Sequence, residues 1–237
     1  DGTLLVVGRP LNGLYVWAHR GYYNSDAEVP RLYKIDGQEI YFNGVATDGI
    51  SGAVGNYRLL DLDGDGNPDS YYAGSPLPLA HGGWVNELMW KNFDLNALIQ
   101  GATRTSISLG ETLVMPFFDS GSATKLQFSD HWTPDNTNAP YPRLTSEVTV
   151  NNHRQPSSWW VRDATYIRLK SIEIGYTLPR SALNFIGISS ARVYASGQNL
   201  WTWTPFMKEL IDPEAKSANG KYYMQQAVYA FGLNITF

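Results

Sequence analysis

The 237 residues include no cysteine, so neither a disulfide framework nor a thiolate metal site enters the problem. Charge is scarce as well: only 17% of residues are Asp, Glu, Lys or Arg, against about 25% in an ordinary soluble domain. The formal charge of −4 and the lack of any Lys/Arg cluster exclude nucleic acid as a partner. Purely apolar runs stop after four or five residues, as at Leu4 to Val7, whereas a spanning helix needs about 20. A chain of this kind crosses a membrane with strands or not at all. No stretch of a dozen residues holds the 3.6-residue apolar period of a helix with caps. Asp1 to Pro10 also lacks the basic start and apolar core of a signal peptide, and the chain reads as a piece of something longer or as a processed product.

What the chain does have is rings and turns. Aromatics make up 14% of it, and such amphipathic side chains suit either a bilayer interface or a carbohydrate-binding surface. Its 22 glycines and 13 prolines punctuate short alternating segments, which predicts an all-β fold. Residues 1–78 are rich in Gly, Asn, Asp and Tyr and read as a large structured loop region; 79–237 read as strands joined by alternately short and long connections. In the second part Trp84, Leu88 and Trp90 share a face. Beyond a tight Lys91-Asn92 turn, Phe93, Leu95, Ala97 and Ile99 alternate with Asp94, Asn96 and Gln100, which predicts a hairpin. Further strands are predicted at Tyr166 to Thr177, closed by Pro179, at Arg192 to Trp203, and at Ala227 to Phe237. The last places Ala227, Tyr229, Phe231, Leu233, Ile235 and Phe237 on one face, and Val228, Ala230, Gly232, Asn234 and Thr236 on the other. A chain of this composition should show about one such alternation by accident. Its weight comes from its terminal position, its aromatic last residue and a length near the roughly 9 to 11 residues of a transmembrane strand.

Several motifs occur together in one order: Val7-Gly8-Arg9-Pro10-Leu11 with Gly13-Leu14-Tyr15, Leu60 to Asn67 running on to Gly74 and Pro76, Lys91 to Leu95, Asp163 to Lys170 with Gly175 to Pro179, Arg192 to Leu200, Asp212-Pro213-Glu214, and the ending Gly232 to Phe237. This set resembles the C-terminal part of the SusC-like TonB-dependent transporters of the Bacteroidetes outer membrane. The resemblance implies about five antiparallel transmembrane strands of a large barrel, with short periplasmic turns and long external loops. It implies import of glycans or peptides, driven through the TonB complex, with a SusD-like lipoprotein on the external face and no enzymatic chemistry. About 22 strands form a plugged barrel of this kind, so these five must pair at both edges with the remaining strands, and the plug that contacts TonB lies elsewhere. Arg20 and Asn67-Pro68 depart from the family pattern.

Several residues are candidates for a site. Asp61, Asp63, Asp65, Asn67 and Asp69 follow the alternate spacing of a calcium loop, but Tyr72 stands where the bidentate Glu belongs. Calcium and a metal-free Asx-rich turn both fit this pattern. Trp159, Trp160, Trp201 and Trp203 are expected in an interfacial aromatic belt rather than stacked on sugar. Asp94, Asn96, Gln100, Asn234 and Thr236 are expected to face the lumen, and Tyr229, Phe231, Gly232, Leu233, Ile235 and Phe237 to form the barrel-closing strand. Strict alternation puts Arg168 and Lys170 on the face of Ile172, Ile174 and Tyr176, which predicts that they lie above the bilayer on the external side. Asp212 and Glu214 are better read as structural than as a glycosidase pair. His19, His81, His131 and His153 show no ligand spacing. The rival reading is a soluble carbohydrate-binding β-sandwich with a calcium-stabilised loop, which would bury the Phe231, Leu233 and Ile235 face against a second sheet.

Overall fold

The structure, a computed structural model, describes residues 7–8, 10, 12–28, 31–33, 39–41, 54–60, 62, 69–145, 157–184, 187–205, 211–215 and 219–237. The chain divides into two units: one of Asp1–Leu77, Ser106–Arg162 and Lys216–Tyr222, the other of Pro78–Thr105, Asp163–Ala215 and Tyr223–Phe237.

Short antiparallel pairs make up the strands of the first unit: β1 (Leu14–Trp17) with β6 (Ser70–Gly74), β2 (His19–Tyr22) with β5 (Tyr57–Leu59), and β3 (Arg31–Tyr33) with β4 (Glu39–Tyr41). A further two-stranded sheet joins β9 (Ser106–Ser108) to β10 (Val161–Asp163). Although polar in sequence, this unit has its own core, in which Val16, Tyr23, Val114, Trp132, Tyr141 and Trp160 are each at most 6% exposed. Two of its buried polar side chains, Gln127 and Asn56, are tied into the hydrogen-bond network. Gln127, 1% exposed, closes a capping box with Thr124 and donates to the Leu113 carbonyl at 3.3 Å. Asn56, fully buried, accepts from Arg143 at 2.9 Å. Bonds of this kind let a loop region of Asn, Gly and Tyr hold one shape.

The second unit is one antiparallel sheet in the order β13-β12-β11-β8-β7. Its strands are β7 (Ala80–Trp90), β8 (Phe93–Thr103), β11 (Tyr166–Thr177), β12 (Ser190–Trp203) and β13 (Val228–Thr236). They run 9 to 14 residues, enough to cross a bilayer, which takes about 9 to 11 residues of tilted strand. All five strands read from the sequence are present. Two residues join β7 to β8, with Lys91 at φ 54, and residues 178–189 join β11 to β12 by way of a short helix at Arg180–Leu183. The connections at the opposite end, 104–165 and 204–227, are long. Among the described residues β7 and β13 each have a neighbour on one side only.

One irregularity decides which side chains share a face. The β11 register shifts between Leu169 and Ser171 against both neighbours, and Asn199 on β12 takes φ 52 beside it. A bulge of this sort inserts one residue and reverses the alternation beyond it.

Candidate functional site

The register defines two unlike faces. On one, Trp90, Phe93, Tyr176, Val193 and Leu233 lie in a row, followed by Leu88, Leu95, Ile174, Ala195 and Phe231. These side chains are uncovered: Ile174 is 52% exposed, Phe231 85%, Leu233 56% and Ile235 40%. The sandwich alternative is thereby overturned, because among the described residues no second sheet packs on this face. Contiguous apolar surface on this scale marks a membrane or partner surface. Rings bracket it. Toward the short-turn end Phe93 packs at 4.6 Å from Tyr176 and 6.3 Å from Trp90; toward the long-loop end stand Trp84, Trp201 and Trp203, all about half exposed or more. Trp84 and Trp90 are six residues, or roughly 20 Å, apart along β7, in keeping with an apolar band about 25 Å tall between two aromatic girdles.

The opposite face is polar, and Asp94, Asn96, Gln100, Asn234 and Thr236 all fall on it. Arg192 reaches from β12 across β11 to Asp94 on β8 and also bonds Glu173 at 2.7 Å. Its guanidinium lies where a Cβ at Gly175 would be, and the Tyr194 ring likewise covers Gly232. Gly232 is therefore the seat of a ring on the polar side of β13.

Farther along this face lies a buried charge cluster. Arg168, 2% exposed, bonds Asp212 at 2.8 Å, Gln225 at 2.9 Å and Thr202 at 2.9 Å, and pairs with Glu214. Lys170 reaches Gln225 at 2.9 Å and Glu214 at 3.4 Å, while Glu214 also accepts from Tyr166 at 2.9 Å and Gln100 at 3.0 Å. Asp212 is 6% exposed and caps its own turn by accepting from the Glu214 backbone N–H at 2.8 Å. Two cations and two carboxylates balance, and the Asp212-Pro213-Glu214 loop is clamped to the wall. The expectation that Arg168 and Lys170 share a face with Ile174 is corrected here: the bulge turns Arg168 onto the polar face beside Gln100, and the Lys170 ammonium follows it. Asp212 and Glu214 serve structure, each occupied by cationic partners.

Trp159 and Trp160 do not belong to the belt. Trp160 is 1% exposed in the core of the first unit. Trp159 packs at 5.1 Å from His19 and donates from its indole nitrogen to the Pro140 carbonyl at 2.9 Å. Both follow Ser157, whose backbone bridges to Trp17, and this tertiary contact is invisible to a composition argument. Burial lowers His19 to about 4, with the Arg162 charge pushing the same way against a Gly21 backbone hydrogen bond. Between about 6.5 and about 4 the unfolded chain therefore takes up a proton that the folded chain refuses, so stability falls as pH drops through that window and is flat above it. Hydrogen exchange over residues 14–24, corrected for intrinsic rates, should be faster at pH 5 than at pH 7, and His19→Phe should abolish the difference.

Of the acidic-loop candidates only Asp69 is described; Asp61, Asp63, Asp65 and Asn67 lie outside the described residues. Leu60 and Asp69 meet at the loop's base, the Asp69 N–H donating to the Leu60 carbonyl at 2.9 Å, and an Asp69 carboxylate oxygen accepts from the Leu62 N–H. Among the described residues no group of three or more His, Asp or Glu side chains is placed to hold a metal.

A sheet of spanning length, uncovered and apolar between two girdles on one face and polar on the other, is the wall of an outer-membrane β-barrel. No protein-family model matches the chain. It is 32% identical to TonB-dependent receptor P26 of Formosa agariphila over 200 residues, 78% of this chain and 20% of that protein. TonB-dependent receptor P3 of the same organism is 31% identical over 222 residues, 91% of the chain and 20% of the relative. The whole chain also superposes on the RagAB peptide transporter, with a TM-score of 0.65 at 21% identity over 24% of that chain. With the RagAB peptide importer in its open-open state the TM-score is 0.63 over 23% of that chain. The chain thus spans about a fifth of the curated relatives' length, and over that span its curated homologues are TonB-dependent receptors. These are receptors, not enzymes.

Proposed function

We propose that this chain supplies wall strands and external loops to an importer that carries glycans or peptides across the outer membrane with energy delivered through TonB. The remaining strands of the same barrel pair with β7 and β13, a plug fills the lumen, and a SusD-like lipoprotein closes the external face. The supporting observation is the two-faced five-stranded sheet in a sequence related to TonB-dependent receptors. Asp94, Asn96, Gln100, Asn234 and Thr236 would then line the passage or meet the plug. Cells making the protein in its native assembly should accumulate labelled oligopeptides or oligosaccharides from a mixed pool, and lose that uptake when TonB is deleted. Uptake of neither class, or uptake indifferent to TonB, refutes the proposal.

Residues 61–69 are proposed to take calcium, since the loop's ends are pinned together at Leu60 and Asp69 and its acidic oxygens recur at alternate positions. Chelation should then speed proteolysis within 61–69, and Asp63→Asn with Asp65→Asn should make the rate insensitive to added calcium. Equal rates with and without calcium in the unaltered protein would leave the metal-free turn.

A further inference from the structure

The apolar face of the wall has a gap in it. Where β7, β8, β11 and β12 carry Gly82, Gly101, Ile167 and Trp203 in register, two adjacent positions have no side chain. A trough of about 480 Å³ opens there, floored at Gly82 and Gly101 and flanked by Ile167 and Trp203, with Thr103 and Thr165 also lining it. That volume lies within the roughly 300–1,000 Å³ of small-molecule sites. The floor is fixed at Gly101, where a Cβ would stand 2.9 Å from the Tyr166 carbonyl oxygen, and open at Gly82, where one would meet nothing within 4 Å. Ile167 and Trp203 are 46% and 49% exposed on the same surface as Ile174 and Phe231, so the trough is continuous with the face that meets hydrocarbon.

We propose that this trough is a lipid site, which seats one acyl chain of a membrane lipid at a fixed place on the wall with its head group beside Thr103 and Thr165. The proposal rests on the barrel-wall reading. A void on a lipid-facing surface forfeits dispersion contacts on both sides, and an unbranched chain is the occupant the bilayer offers. A chain seated there touches floor and walls, while one lying on the flat rows of Leu95 or Ala195 touches one side only. The two threonines suit polar head-group oxygens: Thr165 accepts the Arg104 N–H at 3.1 Å, and exposed Arg104 directly follows Thr103.

The test uses the protein in its native outer-membrane assembly, carried through a delipidating detergent and weighed by native mass spectrometry. The unaltered protein should retain one lipid mass per barrel. Gly82→Leu, whose side chain enters the trough, should lose it, while Asn86→Leu on the same face of β7 should keep it. Equal retention by Gly82→Leu, or complete stripping of the unaltered protein, overturns the site. A second readout does not depend on that variant. In vesicles of phosphatidylethanolamine with brominated acyl chains, Trp203 fluorescence, taken as the difference from Trp203→Phe, should be quenched more than Trp84, taken from Trp84→Phe; equal quenching also overturns the site. A protein that shows no heat-modifiable folded form in gel electrophoresis would instead count against the wall itself.

Discussion

Replacing Arg168 with Ala should destabilise the folded wall by about 3–5 kcal/mol, the range for breaking a buried ion pair by removing one partner. The size follows from what remains behind. Asp212 and Glu214, 6% and 17% exposed in their side chains, would be left with only Lys170 as a cationic partner. The 211–215 segment should also leave the wall, so limited proteolysis there should rise along with a lower unfolding midpoint of the micelle-solubilised assembly. Arg168→Lys should recover part of the loss, since an ammonium keeps the charge but cannot serve Asp212, Glu214, Gln225 and Thr202 from one planar fork. Arg168→Met combined with Asp212→Asn should recover more, because Glu214 then keeps Lys170 and no buried charge is left unpaired. An Arg168→Ala protein within about 0.5 kcal/mol of the unaltered one would mean that the cluster does not hold the loop.

The second large effect belongs to the opposite face. Ile174 sits on the central strand β11, flanked by Leu95 and Ala195 and 52% exposed. Ile174→Lys places an ammonium against hydrocarbon and should cost about 2–4 kcal/mol near the bilayer midplane. Less folded, heat-modifiable barrel should reach the outer membrane. Ser196→Lys, opposite Glu173 on the polar face, should be tolerated. If the two variants fold equally well, the assignment of faces is wrong.

The sequence made the strands legible because each spanning segment writes its own period: Phe93 to Ile99 and Tyr229 to Phe237 announce both their length and their faces without help from neighbours. Faces were lost where a strand stops being regular. Nothing in Arg168-Leu169-Lys170-Ser171 marks the bulge, which exists only relative to the registers of β8 and β12, so a period of two carried Arg168 onto the wrong side. The clue available was chemical: two cations in a spanning segment, and two carboxylates 44 and 46 residues further on in an Asp-Pro-Glu loop. Burial disfavours such charges unless they meet. The belt divided in the same way. Trp201 and Trp203 lie on an alternating strand and point where alternation says, whereas Trp159 and Trp160 sit in a 3-10 turn whose direction is set by contacts with His19 and Tyr141. The short-turn girdle of Trp90, Phe93 and Tyr176 went unnamed, although each ring lies at the end of a predicted strand or one residue inside it. That position was the signal.

Because the chain has no cysteine, single cysteines can be placed along β13 one at a time and spin-labelled in the native assembly in outer membranes. Labels at Tyr229, Phe231, Leu233 and Ile235 should be accessible to oxygen dissolved in the bilayer and protected from a water-soluble paramagnetic reagent, and labels at Ala230, Asn234 and Thr236 should lose that oxygen accessibility. A two-residue period with Phe231 at its lipid maximum is the expected result; uniform exposure to the aqueous reagent, or no period at all, would contradict a lipid-facing barrel wall.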